Sequence, residues 1–126
     1  MPTQHDPDEN RLRSERNIWI ATVRADGRPH LVPVWFVWHE GRAYVCTQEG
    51  SIKIKNLRRS ALISFALEDG DKAVTAEGTA EFVDAPFPAA VLDIFKNKYG
   101  WNIATDTDPN VMFAITPVKW LQWRPL

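Results

Sequence analysis

The segment PHLVPVWFVW at residues 29–38 constrains this chain more than any other feature. Its apolar residues fill both faces of an extended strand. Val32, Val34, Phe36 and Trp38 lie on one face; Leu31, Pro33, Trp35 and Val37 lie on the other. A strand with one solvated face alternates apolar and polar residues, so here the second face must meet a helix, a ligand or another subunit. Pro33 has no N–H to give to a ladder and marks an edge or a bulge. Beside such a break, main-chain N–H and C=O groups are free to bind a flat heterocycle by its edge. An edge strand covered by a helix or a dimer partner accounts for the same residues without a ligand.

The rest of the sequence supplies partners for that strand. IWIATVR (18–24) precedes it across an Asp26-Gly27 hairpin signal, and RAYVCT (42–47) follows it across a turn at His39-Glu40-Gly41; the three read as a meander. ALISFALE (61–68), KAVTAEGTAEFV (72–83) and VMFAITP (111–117) read as three more strands, the last continuing or bending at Pro117 into VKWLQW (118–123). In the fifth strand Thr75, Glu77, Thr79 and Glu81 alternate with Val74, Ala76, Ala80 and Phe82, giving one wet face and one buried face. Helical stretches are short. One spans 8–17 with Leu12 as its apolar anchor, one spans 51–59, and one spans 87–98, opened by Pro86 and Pro88 and ended near Gly100. Residues 101–110 read as a polar loop, and residues 1–10 as a loose N-terminal arm.

A length of 126 residues, 44% of them hydrophobic, suits one packed domain. The expected fold is mainly β with short helices: a six-stranded antiparallel sheet that curls into a barrel and so removes its exposed edges. Six tryptophans suggest flat surfaces packed against a partner chain or a planar ligand.

SIKIKNLRR (51–59) is the clearest candidate for chemistry. It holds Lys53, Lys55, Arg58 and Arg59 and no acidic residue. Arg58 and Arg59 suit the negative C-terminal end of a helix dipole, which needs no ligand. Lys53 does not fit that account. With Ser51 as N-cap it stands in the first turn, where a cation is mildly unfavourable unless an anion sits there too. Free backbone N–H groups, the Ser51 hydroxyl and the Lys53 ammonium would together hold a phosphate, with Thr47 adding a hydroxyl from the preceding strand. A merely solvated helix face is the competing account.

Other chemistries find little support. Lys+Arg of 15 against Asp+Glu of 16 gives a net charge of -1, and the bases concentrate in one helix, which argues against a nucleic-acid binder. No apolar run approaches the roughly 18 residues of a membrane span, and the polar N-terminus is unlike a secretory signal. One cysteine allows no internal disulfide, so a cytoplasmic protein is expected. Cys46 reads as a small core residue. His5, His30 and His39 lack a second ligand at metal spacing, so no metal site is expected. Glu77 and Glu81 lie on a wet face, and no side chain is named as catalytic. Nucleophile-elbow, Walker and dinucleotide-binding motifs are absent.

Residues 18–68 carry a further pattern: Asp26-Gly27, Pro29-His30, Pro33-Val34-Trp35, Thr47, Ser51, Lys53 and Asn56-Leu57. It resembles the pyridoxamine 5'-phosphate oxidase-like, FMN-binding split-barrel family, and in particular small bacterial members that carry an F-420-dependent label. The likeness extends more loosely through EGTAEFV, Lys98-Tyr99-Gly100-Trp101 and ITPVKWLQW. It implies a split barrel binding FMN or coenzyme F-420 at a homodimer interface. Ser51, Lys53 and Thr47, with Lys55 and Asn56, would bind the cofactor phosphate. The backbone of Val32, Pro33, Val34 and Trp35 would contact the isoalloxazine or deazaflavin ring, and Trp101, Trp120 or Trp123 of a second chain would complete the pocket. Ile52 stands where the flavin oxidases carry an Arg, and the substrate-binding basic residues of a vitamin B6 oxidase are not recognisable. Oxidation of pyridoxamine phosphate is therefore not expected.

The expected function is a flavin- or deazaflavin-dependent oxidoreductase exchanging a hydride with a small organic substrate. The alternative is a non-catalytic flavin or haem binding or storage protein of the same fold, with His30 or His39 as the axial ligand of a haem.

Overall fold

A computed structural model describes residue 7, residues 9–108 and residues 110–121. Most of the expected arm, and Trp123, lie outside the described residues. The elements run α1 (Glu9–Ser14), β1 (Asn17–Val23), β2 (Pro29–Trp35), β3 (Val37–His39), β4 (Arg42–Gln48), α2 (Ile52–Arg59), β5 (Leu62–Leu67), β6 (Thr75–Val83), α3 (Ala89–Tyr99) and β7 (Asn110–Leu121). Among the described residues no helix is long and apolar enough to cross a membrane.

All seven strands join one antiparallel sheet in the order β2-β1-β5-β6-β7-β4-β3. The mainly β architecture is as expected, but there are seven strands rather than six. The expected single strand over 29–38 is broken at Phe36. Its first part pairs with β1 and its second with β4, so the three-strand meander does not form. The consequence is topological. β2 and β3 occupy opposite edges of the sheet, yet Phe36 alone joins them. One residue can bridge two edges only if the sheet rolls until they meet, and the result is a curled, split barrel.

The roll divides the core in two. Inside lie Ile18, Ile20, Phe36, Ala43, Val45, Ile63, Phe65, Phe113 and Ile115. Outside, Val91 and Phe95 of α3 pack on Val37, Tyr44, Cys46, Met112 and Ala114 of the sheet. Ala43–Cys46 of β4 and Met112–Ile115 of β7 are therefore buried on both faces, while β6 keeps the expected alternation, with Ala76 and Gly78 buried and Glu77, Thr79 and Glu81 exposed. Leu12 anchors α1 at 0% exposure. The outer face of β2, β1 and β5 is uncovered: Trp19, Val23, Leu31, Trp35 and Leu62 all remain exposed.

Local boundaries moved where side chains offered the backbone another partner. β6 begins at Thr75 rather than residue 72, because Asp69 Oδ1 accepts from the N–H groups of Asp71 and Lys72 and closes a helical turn over Gly70–Lys72. The 101–110 loop contains one tight turn, Ile103–Thr105. Gly100 ends α3 at φ 70°, which suits glycine. Near Pro117 the strand does not stop: β7 runs on to Leu121 through a bulge opposite Glu77 and Gly78.

Candidate functional site

The seam where the rolled sheet meets itself opens into a cleft of about 610 Å³. β2 contributes Pro33, Val34 and Trp35; β4 contributes Cys46, Thr47 and Gln48; α2 contributes Lys53. The residues after α3 close the other side with Tyr99, Gly100 and Trp101, joined by Asp106 and Asn110. Five of the residues singled out in the sequence, Pro33, Val34, Trp35, Thr47 and Lys53, thus line one space.

The four cations of α2 separate as their positions suggest. Arg58 makes a two-pronged pair with Glu49 at 2.7 and 2.8 Å and lies over the Phe82 ring. Arg59 donates to the carbonyl of Val23 and to Asn56 Oδ1. Lys55 is exposed. Lys53 is half-buried and lines the cleft, has no ion pair or hydrogen bond among the described residues, and its pKa is lowered by loss of solvent. Ser51 adopts N-cap geometry (φ -71°, ψ 152°), but its hydroxyl does not cap the helix; Oγ is buried without a partner. The start of α2 therefore offers unused first-turn N–H groups, an orphan hydroxyl and an uncompensated ammonium. That donor set fits a phosphate.

The remaining predicted residues are placed differently. Val32 packs inward against the core. Asn56 is 4% exposed and gives Nδ2 to Thr22 Oγ1 at 3.0 Å, tying α2 to β1. Trp120 packs with Trp38 and Phe65 at ring separations of 6.0 and 5.7 Å. Cys46 borders the cleft but is not a ready nucleophile, since burial pushes its thiol up to about 12. Among the described residues no group of three or more His, Cys, Asp or Glu side chains is placed to hold a metal.

The sequence pattern of pyridoxamine 5'-phosphate oxidase matches residues 8–124. The chain belongs to that family. No curated protein matches it. Solved structures that share the fold include the following three. The conserved hypothetical protein Rv2991 of Mycobacterium tuberculosis is 29% identical, with a TM-score of 0.73 over 91% of this chain and 81% of that one. An F420 reductase is 22% identical, with a TM-score of 0.69 over 92% and 98%. HutZ, the heme storage protein of Vibrio cholerae, is 22% identical, with a TM-score of 0.74 over 88% and 87%. At that identity the last two show a common fold alone.

Within this member of the family, sequence reasoning had not placed Tyr99 at the cleft. Its ring stacks on Trp35 at 4.5 Å and 10°, and its hydroxyl accepts the Phe36 N–H at 2.9 Å and lies 2.8 and 2.7 Å from the carbonyls of Phe36 and Arg16. Lys98 Nζ donates to the Phe36 carbonyl at 3.0 Å, and burial brings its pKa down to about 8. The last turn of α3 thus satisfies the one residue that both ladders leave out. Trp101 also lines its own chain's cleft and donates Nε1 to Asp106 Oδ2 at 3.0 Å; the Asp108 N–H and then this bond hold the Asp106 pKa down. The only local signal for these roles was an aromatic pair flanking a helix-ending glycine. Tyr99→Phe is expected to cost about 1–3 kcal/mol, because the buried Phe36 N–H loses its acceptor. A urea midpoint equal to that of the unmutated chain would contradict this.

Proposed function

We propose that this chain is a cytoplasmic, homodimeric oxidoreductase that holds FMN or coenzyme F-420 in the seam cleft and exchanges a hydride with a small organic substrate. The observation that carries the reading is the unpaired Lys53 lining a cleft walled by Trp35, Tyr99 and Trp101, with the orphan Ser51 Oγ buried two residues away at the start of the same helix. A phosphate at the start of α2 would leave an attached flat ring to lie along the aromatic wall. β2 is an edge strand, so main-chain groups on its free side are available to the ring's polar edge. Thr47 stands where it can add a hydroxyl, and Lys55 can approach from the exposed face of the helix. The bound ring supplies the hydride chemistry; the chain supplies position, exclusion of water and charge. A second copy would cover the exposed Trp19, Leu31, Trp35 and Leu62, which share one face of the sheet.

Titrating the purified protein with FMN and with F-420, and following fluorescence quenching, tests the reading. Binding of either at or below about 100 µM is expected; binding of neither overturns it. The non-catalytic alternative has its own signature: a Soret band on adding haemin, lost in His30→Ala, would replace the enzyme reading.

A further inference from the structure

Buried polar atoms in folded proteins nearly always have a partner. Among the described residues two buried side-chain atoms have none, His30 Nδ1 and Ser51 Oγ. They come from different elements but from one corner of the molecule. His30 on β2 is the cross-strand partner of Thr22, and Thr22 Oγ1 accepts from Asn56 of α2. Lys53, one turn before Asn56, lies near enough for its charge to act on the imidazole. An ammonium can only donate, while a hydroxyl and a neutral imidazole can each donate one proton. One missing acceptor with negative charge would satisfy all three.

We propose that His30 is a further ligand of the cofactor's phosphate, donating from its imidazole beside Ser51 Oγ and Lys53 Nζ, and that binding the phosphate takes up a proton at this histidine. The inference rests on the cofactor reading above and adds a residue and a pH dependence to it. Burial first, and then the charges of Arg24, just beyond β1, and Lys53 on α2, hold the imidazole pKa below the usual 6.5. The free imidazole is therefore neutral at pH 7. A phosphate acts with the opposite sign and raises the pKa. Affinity then rises as pH falls through the pKa of the liganded form and levels off below that of the free form.

Following the His30 ring by NMR, with and without whichever of FMN or F-420 binds more tightly, decides the matter. The liganded titration is expected to lie about one pH unit above the free one. His30→Gln is expected to weaken FMN about five- to twenty-fold while leaving riboflavin, the same ring without phosphate, unchanged. Identical titrations with and without cofactor, or a Gln variant that binds FMN as the unmutated chain does, would overturn the assignment. The NMR titration needs no variant and decides alone if His30→Gln does not fold. If a cofactor binds through Lys53 and is indifferent to His30, this inference falls and the functional reading stands; if neither cofactor binds, both fall.

Discussion

Lys53→Ala is expected to weaken FMN or F-420 binding by about 10- to 150-fold while leaving the fold intact. A charge-assisted hydrogen bond to a phosphate is worth about 1.5–3 kcal/mol, which sets that range. Stability should not follow, because the ammonium has no partner among the described residues and is half-buried at a cost. Removing an uncompensated charge from the positive end of a helix relieves repulsion rather than breaking a contact. The melting temperature should therefore stay level or rise slightly. Fluorescence titration and a thermal melt on the same preparation separate the two quantities. Unchanged affinity with a collapsed melting temperature would mean that Lys53 is a structural residue and that the phosphate lies elsewhere.

Gly78→Ala should be the most damaging of the six possible glycine-to-alanine changes in this chain. A Cβ there would run into the carbonyl oxygen of Thr116, with the carbonyl carbon at 3.1 Å and Pro117 Cα at 3.2 Å. These are backbone atoms of the neighbouring strand, fixed by the ladder on either side of the bulge, so no rotamer change relieves the overlap. About 3 kcal/mol is expected, a fall in melting temperature of roughly 10 °C. Gly50→Ala is the control, since nothing lies within 4 Å of its added Cβ and the change should be worth less than about 0.5 kcal/mol. If the two alanine variants melt alike, the close approach of β6 and β7 at the bulge is wrong.

The contrast between these two sites shows what could be read before the fold was known. Lys53 was legible because its oddity is local: a cation in the first turn after a Ser N-cap conflicts with the helix dipole wherever the helix packs. Arg58 and Arg59 were legible for the converse reason, as cations at the favourable end of the helix, but their partners Glu49 and the Val23 carbonyl were not. Gly78 gave no warning, since a glycine in an alternating strand looks the same whether it faces solvent or a neighbouring carbonyl. Tyr99 was equally silent, because its hydroxyl bonds reach the chain at Arg16 and Phe36, 83 and 63 residues away.

The strand at 29–38 shows both halves. Its two apolar faces predicted cover on both sides of the segment, and the structure covers them only in part: in β2 the side carrying Leu31, Pro33 and Trp35 remains exposed. Val32 and Val34 pack toward the interior, Val37 lies beneath α3, and Pro33 and Trp35 line the cleft. The break at Phe36 was invisible, since PVWFVW has the same periodicity whether or not the chain changes partners within it.

Alternation, turn residues, caps and the lone cation are properties of neighbours in the chain, and they sufficed for a mainly β chain with short helices and for singling out Lys53 at the start of α2. Which strands pair, where the sheet closes and which distant side chains wall the cleft depend on contacts between residues far apart in sequence. Their energies carry no local periodicity, so only the folded chain could decide them.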